Sequence, residues 1–401
     1  MMRTLMLKDN IIERGANFLI LLPILWIFTG LFILKDGDKI LVVLTLVSTA
    51  ISLLIYKTSI YKDNIKNPYL WLMFTLLSIS IICEALHIYN PVNFRAIAII
   101  TVLLCFLPLK LITNKTLSII MIIGTISSFS FISWFNYIIL TPREYGPFNA
   151  IPYATYLCFI ATMALILFFS TKNNIIKYSL LLCLCLNITT IFMTETRGAL
   201  VALAPTLFGI IFYFSYKNKT IKRNAIFSTV ALVILCGLSY PVLKQRISQT
   251  TTDITSIQSG DTNTSIGLRL DFWKAGFHLI EQSPIIGYGT NYFQQLDTLA
   301  NEHIIPQYAA SYKPLHFHNQ FVDIAVKCGI FGLLALLILL IFPIIKLTNK
   351  TNNEALLIYS YTSILILAGL TDVPFFHKQL FLIFFIMIGI MYGRNKQQLK
   401  N

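Results

Sequence analysis

Two histidines placed directly before a long apolar run are the first candidates for chemistry. His316 and His318 precede an apolar segment that begins at Phe321. If that segment is a helix, its N-terminus lies beside them, and its charge of roughly +0.5 disfavours a protonated imidazole. A neutral imidazole is what a general base needs. The more common alternative for such a pair is a plain polar role at the start of a helix.

Arginines in two places suit the binding of a phosphate-type anion. Arg197 follows a short polar turn and opens an apolar run, so that free backbone N–H groups and a guanidinium lie together there. Arg269 is followed by Trp273 one helical turn later. The alternatives are an interfacial arginine paired with Glu195 and an exposed helix arginine, respectively. Weaker candidates with the same charge are Arg95, Arg143 and Lys378.

Motifs for metal-dependent or covalent chemistry do not occur in the sequence, which has no HExxH, P-loop or nucleophile elbow. Asp36 and Asp38 form a DxD pattern, but they lie in a five-residue connection with the composition of a turn. Glu84 and His87 lie one helical turn apart in an apolar run, where a proton relay and simple pairing both fit the spacing. All seven cysteines lie in apolar runs, so we predict no disulfide framework and no cysteine-based metal site.

The elements that must position these residues are apolar runs of membrane-spanning length. Of the 401 residues, 56% are hydrophobic and 12% are charged, whereas soluble domains have about 25% charged residues. A hydrocarbon core about 30 Å thick needs roughly 20 apolar helical residues. We therefore predict an all-α integral membrane protein with about twelve transmembrane helices. The predicted spans are 16–34, 40–56, 68–87, 96–112, 117–140, 150–170, 178–193, 198–216, 225–243, 321–345, 355–370 and 380–391.

The net charge of +14 is explained by membrane topology. With the N-terminus in the cytoplasm, 19 of the 31 basic residues but only four of the 17 acidic residues lie on the cytoplasmic side. This is the positive-inside bias, and it gives no support to a nucleic-acid partner. It predicts that both termini are cytoplasmic and that the long loop 244–320 faces outwards. The first apolar run lacks a small-residue cleavage site, so we expect it to be an uncleaved span.

The loop divides the chain into membrane segments 1–243 and 321–401 with the insertion 244–320 between them. Residues 248–265 are nearly all Ser, Thr, Gln, Asp and Asn, which predicts a mobile stretch. Apolar residues then recur at helical spacing, at Leu268, Phe272, Ala275 and Leu279. Ser265 is the expected N-cap and Ser283-Pro284 the expected end. Because the loop is tethered at both ends, we expect this amphipathic helix to lie at the membrane surface.

Taken together, the motifs resemble those of the O-antigen ligase and polymerase superfamily. They are Thr196-Arg197-Gly198-Ala199, Arg269 with Trp273, Gly287-Tyr288-Gly289, and His318-Asn319 followed by Gly329 and Gly332. The length, the twelve spans and the single large outer loop resemble the O-antigen ligases in particular. One departure is Lys327-Cys328 before Gly329, where relatives commonly have an acidic residue.

The resemblance implies an inner-membrane glycosyltransferase with a periplasmic active site. Its expected reaction is inverting, metal-independent transfer of polysaccharide from undecaprenyl pyrophosphate to a sugar hydroxyl of lipid A–core, without a cofactor. It implies that His318 is the general base and that Arg197 and Arg269 bind the pyrophosphate. His316, Asn319 and Trp273 are expected to support them. The alternatives are an O-antigen polymerase, a protein O-oligosaccharyltransferase and, more distantly, a lipid-linked oligosaccharide flippase.

Overall fold

The computed structural model describes residues 2–86, 89–90, 93–141, 143–146, 148–220 and 240–397, which are almost entirely helical. The helices are α1 (Met2–Ile27), α2 (Gly37–Tyr56), α3 (Ser59–Asn64), α4 (Pro68–Ala85), α5 (Phe94–Phe106), α6 (Asn114–Trp134), α7 (Ala150–Ser170), α8 (Asn174–Met193), α9 (Arg197–Lys217), α10 (Tyr240–Gln258), α11 (Gly267–Gln282), α12 (Tyr292–Asn301), α13 (Gln307–Ser311), α14 (Gln320–Ile345), α15 (Asn353–Gly369) and α16 (Lys378–Gln397). Two short strands, β1 (Glu144–Tyr145) and β2 (Phe148–Asn149), pair antiparallel before α7.

Eight helical segments in the described part of the chain are long and apolar enough to cross a membrane, as expected of a multi-pass membrane protein. They are Glu13–Phe32, Gly37–Tyr56, Pro68–Ala85, Asn114–Ile139, Ala150–Ser170, Asn174–Met193, Arg197–Lys217 and Gln320–Ile345. The predicted spans 355–370 and 380–391 coincide with the helices α15 and α16, whereas the predicted span 96–112 is matched by α5 only as far as Phe106. Most of the predicted span 225–243 lies outside the described residues. The total of twelve spans therefore stays a prediction.

Helix α7 is the centre of the membrane domain. Of its most apolar window, 89% is buried, against 22% for each of α2 and α4. A helix that is apolar on all sides and buried on all sides lies inside a bundle, whereas a helix with exposed apolar residues faces lipid. Tyr156 of α7 fastens α1 to this centre, because its hydroxyl donates to the Phe28 carbonyl at 2.7 Å and its ring stacks on Phe32.

A second, smaller core lies beneath the loop between α10 and α14. Phe272, Ala275 and Leu279 of α11 are buried there as their spacing predicts. They pack with Phe317 and with Val326 of α14. The apolar face of α11, which we expected to meet the membrane surface, therefore packs against protein.

Two local expectations for this loop are wrong. The stretch 248–265, which we expected to be mobile, is helical as far as Gln258 as a continuation of α10. Hydroxyls such as those of Thr251 and Thr252 donate there to carbonyls four residues earlier. Helix α11 begins at Gly267 with Ile266 as its N-cap residue and no side-chain cap. Instead of capping, Ser265 accepts hydrogen bonds from the Arg269 guanidinium.

Helix α14 is interrupted at Gly329, and the turn around Tyr288 fills the interruption. Gly329 has φ 62° and ψ −161°, which is not helical. The freed carbonyls of Val326 and Lys327 accept hydrogen bonds from the N–H groups of Tyr288 and Gly289 at 2.8 and 2.9 Å. One contact between two backbone segments thus explains both the Gly287-Tyr288-Gly289 motif and Gly329.

We predict that Gly329→Ala destabilises the folded protein. A Cβ at this position would lie 2.1 Å from the Ile285 carbonyl oxygen, a backbone atom that cannot rotate away, and φ is in the left-handed region. The backbone strain alone costs about 1–3 kcal/mol. The measurement is the thermal unfolding midpoint of the detergent-solubilised protein. Gly209→Ala on α9 is the matched control, because nothing lies within 4 Å of its Cβ; equal midpoints for the two variants would contradict this account of the kink.

Candidate functional site

A cavity of about 300 Å³ lies where α9 and α11 begin, beside the β1–β2 hairpin and the turn after α15. Three arginines, one glutamate and one tryptophan line it together with smaller polar and apolar side chains. The lining residues are Arg143, Ile151, Glu195, Thr196, Arg197, Gly198, Val201, Thr250, Ser265, Ile266, Arg269, Leu270, Trp273 and Thr371. Both arginines proposed from the sequence as pyrophosphate ligands, and Trp273, therefore face one cavity.

Arg197 is the first residue of α9 and is held by α10. Its guanidinium donates to the Thr250 hydroxyl at 2.7 Å and to the Gln249 side-chain oxygen at 3.1 Å. The preceding turn is tight, since Glu195 has a left-handed φ of 54°. A Cβ on Gly198 would lie 2.7 Å from the Thr371 hydroxyl, so the turn after α15 approaches the start of α9 closely. The arginine and the helix N-terminus consequently present their donors on the same side.

Arg269 is the more desolvated of the two predicted arginines. Burial lowers its pKa, Asp372 opposes that change, and the neighbouring Arg197 and Arg143 lower the pKa further. One terminal nitrogen donates to Ser265, while Nε is buried with no hydrogen-bond partner among the described residues. Arginine stays charged even so, and a buried guanidinium with a free donor beside two further cations is a site for an anion.

His318 lies against an acidic partner that we did not identify from the sequence. Its Nδ1 is 3.5 Å from an Asp372 carboxylate oxygen, and Asp372 is buried. This separation is long for a hydrogen bond, and no other atom of the described residues bonds that nitrogen. Burial by itself raises the pKa of Asp372, but the interactions with His318, His316 and His377 bring it below its ordinary value. An ionised carboxylate beside Nδ1 leaves Nε2 free as the basic nitrogen.

Helix α11 connects the histidine to the cavity. The ring of Phe272 lies parallel to that of His318, with centroids 6.0 Å apart. The indole N–H of the next residue, Trp273, donates to the His318 carbonyl at 3.4 Å. Trp273 also lines the cavity, and Thr371 of the cavity wall is next in sequence to Asp372. The arginine cavity and the His318–Asp372 pair are therefore adjacent parts of one site.

His316 faces the same place as His318, although both precede a helix. The two residues precede α14, and their ring centroids are 4.4 Å apart. Two positions on a helix would diverge by about 200°; here the non-helical, bent segment before the helix, in which His318 has a φ of 49°, lets the rings meet. Burial lowers the pKa of His316 to about 4, so its ring is neutral near pH 7. Asn319 is the N-cap of α14, accepting from the N–H groups of Phe321 and Val322.

A buried ion pair holds the histidine segment in place. Asp323 and Lys327 approach to 2.8 Å, with side chains only 5% and 4% exposed. Asp323 also accepts from the Phe317 N–H, and the Lys327 ammonium donates to the Leu315 carbonyl. The lysine that departs from the family pattern thus has a structural partner one helical turn away.

The histidine cluster also has the composition of a cation site. His316, His318 and Asp372 each offer one ligand atom, all within 4.8 Å of one another. Two imidazoles and one carboxylate are a known ligand set for Zn²⁺, although the ligand atoms would have to approach to within about 3.5 Å for tetrahedral binding. The expectation that no metal is required stays a prediction, and chelation tests it below.

The other sequence candidates lie apart from the cavity lining. Lys39 pairs with Asp36 at 2.8 Å on an exposed turn, in line with a turn rather than a metal site. Glu84, Arg95 and Lys378 are exposed, and none of them lines the cavity. His87 lies outside the described residues. Arg143 is the exception, because the hairpin brings it to the cavity wall.

Asp372 and Arg143 are the site residues that the sequence predictions missed or ranked too low. Asp372 is the only acidic residue after Glu354 and lies with His377 in the short segment between two predicted spans. An acidic residue this close to a histidine could have been singled out from the sequence. For Arg143 the available signal was its charge beside a predicted span end, which it shares with Arg95 and Lys378.

Comparisons with known proteins find similar sequences for part of this chain. Residues 180–337 match the family described as O-antigen ligase (Wzy_C). The chain is 29% identical over 181 residues to an uncharacterized protein of Haemophilus influenzae, covering 43% of each chain. It is 25% identical over 199 residues to a protein of Escherichia coli strain K12 named O-antigen ligase, covering 47% of this chain and 45% of the relative. The matched region thus spans less than half of either relative.

We predict that His318→Ala loses nearly all of the glycan transfer expected of this family, while His316→Ala keeps measurable activity. Removal of a general base lowers turnover by about 10²-fold or more, and only His318 has the buried carboxylate beside Nδ1. The measurement is turnover of lipid-linked glycan, with donor binding followed in parallel. A His318→Ala protein with near-normal turnover, or one that has simply stopped binding the donor, would contradict the assignment.

Proposed function

We propose that this chain, whose segment 180–337 matches the O-antigen ligase family, is an O-antigen ligase of the bacterial inner membrane. In the proposed reaction, a polysaccharide passes from undecaprenyl pyrophosphate to a sugar hydroxyl of lipid A–core. We further propose that the active site faces the periplasm and that both termini are cytoplasmic. The observation that carries it is the junction of an arginine-lined cavity with the His318–Asp372 pair.

The cavity suits the leaving group. A sugar linked to a lipid through pyrophosphate carries two negative charges, and Arg197 and Arg269 place guanidinium donors on the cavity wall. Such donors stabilise the charge that develops on the departing pyrophosphate. Because pyrophosphate is a good leaving group, no general acid is required.

The base is proposed to act on the opposite side of the reacting carbon. Nε2 of His318 takes the proton from the acceptor hydroxyl, and the hydroxyl oxygen attacks the anomeric carbon. The bond from that carbon to the phosphate oxygen breaks, and the electron pair leaves with lipid pyrophosphate. A single displacement inverts the anomeric centre. Asp372 stabilises the imidazolium through Nδ1–H, and the 3.5 Å separation need only shorten slightly when substrate binds.

Polymerase and protein O-oligosaccharyltransferase activities use the same donor and differ only in the acceptor. The decisive assay incubates purified protein and lipid-linked glycan with lipid A–core, with a second lipid-linked glycan or with an acceptor protein. We expect glycan on lipid A–core. Product on either other acceptor alone would favour that alternative, and movement of donor across a vesicle bilayer without transfer would favour a flippase.

We predict that Arg197→Ala and Arg269→Ala each reduce this transfer by about 10²-fold or more, as for the loss of one transition-state donor. Lysine should rescue poorly, because it is a point charge where arginine offers a planar fork. Lys274→Ala is the matched control, since Lys274 is exposed on α11 and does not line the cavity. Full activity of Arg197→Lys would contradict the proposed contact.

The same assay in excess EDTA addresses the cation site at the histidines. We expect undiminished transfer, because the proposed mechanism uses His318 as a base rather than as a ligand. Loss of transfer on chelation, with recovery on adding Zn²⁺, Mg²⁺ or Mn²⁺, would contradict it and assign the cluster of His316, His318 and Asp372 to a metal.

A further inference from the structure

Arg143 lies at the start of a short hairpin that is fixed to the neighbouring helices. The strands β1 and β2 pair Glu144 with Asn149 and Tyr145 with Phe148. Asn149 then caps α7, accepting from the Ile151 N–H. The hairpin is therefore continuous with the most buried helix of the bundle, and Arg143 directly precedes its first strand.

The hairpin is also anchored next to the other arginines. The Tyr145 ring is fully buried, and its hydroxyl donates to the Met193 carbonyl at 3.3 Å. Asn136 donates to the same carbonyl at 3.2 Å. Met193 ends α8 four residues before Arg197, so one anchoring point sets the positions of both Arg143 and Arg197.

The backbone of Arg143 is held in an unusual conformation. Its φ is 72°, in the left-handed region that non-glycine residues seldom occupy. Such a conformation persists only where the surrounding structure imposes it, and it is concentrated at functional sites. Arg143 lies two residues before the buried Tyr145 and lines the cavity wall.

The ionisable lining of the cavity is net positive. Its ionisable lining residues are Arg143, Arg197, Arg269 and Glu195, with a net charge of +2. The arginines are close enough that Arg143 and Arg197 both lower the pKa of Arg269. Their mutual repulsion is offset when an anion binds between them.

The two predicted arginines are partly committed to the protein itself. Arg197 donates to Thr250 and Gln249, and Arg269 donates to Ser265. A diphosphate carries its acceptor oxygens on two phosphorus centres, and a third guanidinium at another point of the cavity wall gives the second phosphate a partner of its own. The exposed Arg143 stands at the rim of the cavity with a charge to contribute.

We propose that Arg143 forms a second phosphate subsite, through which this cavity binds a polyprenyl diphosphate in preference to a polyprenyl monophosphate. The inference rests on the proposed donor site and deepens it. Arg197 and Arg269 bind one phosphate and Arg143 binds the other. Arg143 is a donor-binding residue and takes no part in proton transfer.

The experiment measures binding of geranyl pyrophosphate and geranyl monophosphate to the detergent-purified protein by isothermal titration calorimetry. We predict that Arg143→Ala weakens geranyl pyrophosphate about tenfold, as expected for one charge-assisted contact. Binding of the monophosphate should change less than about twofold. Arg143→Lys should recover part of the loss, and the thermal unfolding midpoint of each variant reports whether the hairpin is intact.

Arg95→Ala is the matched control, since Arg95 is an exposed arginine that does not line the cavity. If Arg197→Ala weakens pyrophosphate binding while Arg143→Ala does not, the subsite is wrong and the donor site stands. If Arg143→Ala weakens both ligands equally, Arg143 supplies only general charge and the subsite is again wrong. If the wild-type protein binds neither ligand, the donor site itself fails and the inference fails with it.

Discussion

The buried ion pair between Asp323 and Lys327 is the contact on which the geometry of the site depends. Its members are 2.8 Å apart and almost completely shielded from solvent. Two charges at such a depth cost more to desolvate than their attraction returns, unless further hydrogen bonds complete them. The backbone of Leu315 and Phe317 supplies those bonds. The cost of burial is thus offset by contacts that also fix the segment carrying both histidines.

A second consequence of this arrangement is that irregular backbone can lie beside the membrane domain. Extended segments and interrupted helices expose polar groups that lipid cannot satisfy. In this protein the polar groups of these segments form hydrogen bonds with one another. The break at Gly329 receives the turn at Tyr288 and Gly289, and the start of α14 is capped by Asn319. Helix α11 then closes over the histidine segment with its apolar face inwards. Rigid backbone around His318 follows, as proton transfer over a fixed distance requires.

What the sequence could predict was local. Arg197 and Arg269 were identifiable because a charge at the start of an apolar run, or beside an aromatic residue on an amphipathic helix, is visible at short range. The period of α11 was correct for the same reason. The second half of helix α10 was missed because its polar composition suggested a mobile stretch, whereas the chain is helical as far as Gln258.

The contacts that could not be predicted join segments far apart in the chain. Asp372 reaches His318 only after α14 and α15 have folded against each other. Arg143 reaches the cavity through a hairpin whose strands are two residues each, too short for any periodic signal. His316 and His318 converge because α14 begins after both of them, at Gln320. Helix ends differ by one or two residues between assignments, so the sequence could not show whether the two rings lie inside the helix or before it.

The most direct test of the central claim is a cryo-EM structure of His318→Ala protein with a lipid-linked pyrophosphate donor bound. Removal of the base should let the intact donor accumulate. The account predicts density for the pyrophosphate between Arg197 and Arg269, with the anomeric carbon directed towards the position vacated by the imidazole. A donor whose pyrophosphate lies outside this cavity, or whose sugar points away from Asp372, would contradict it.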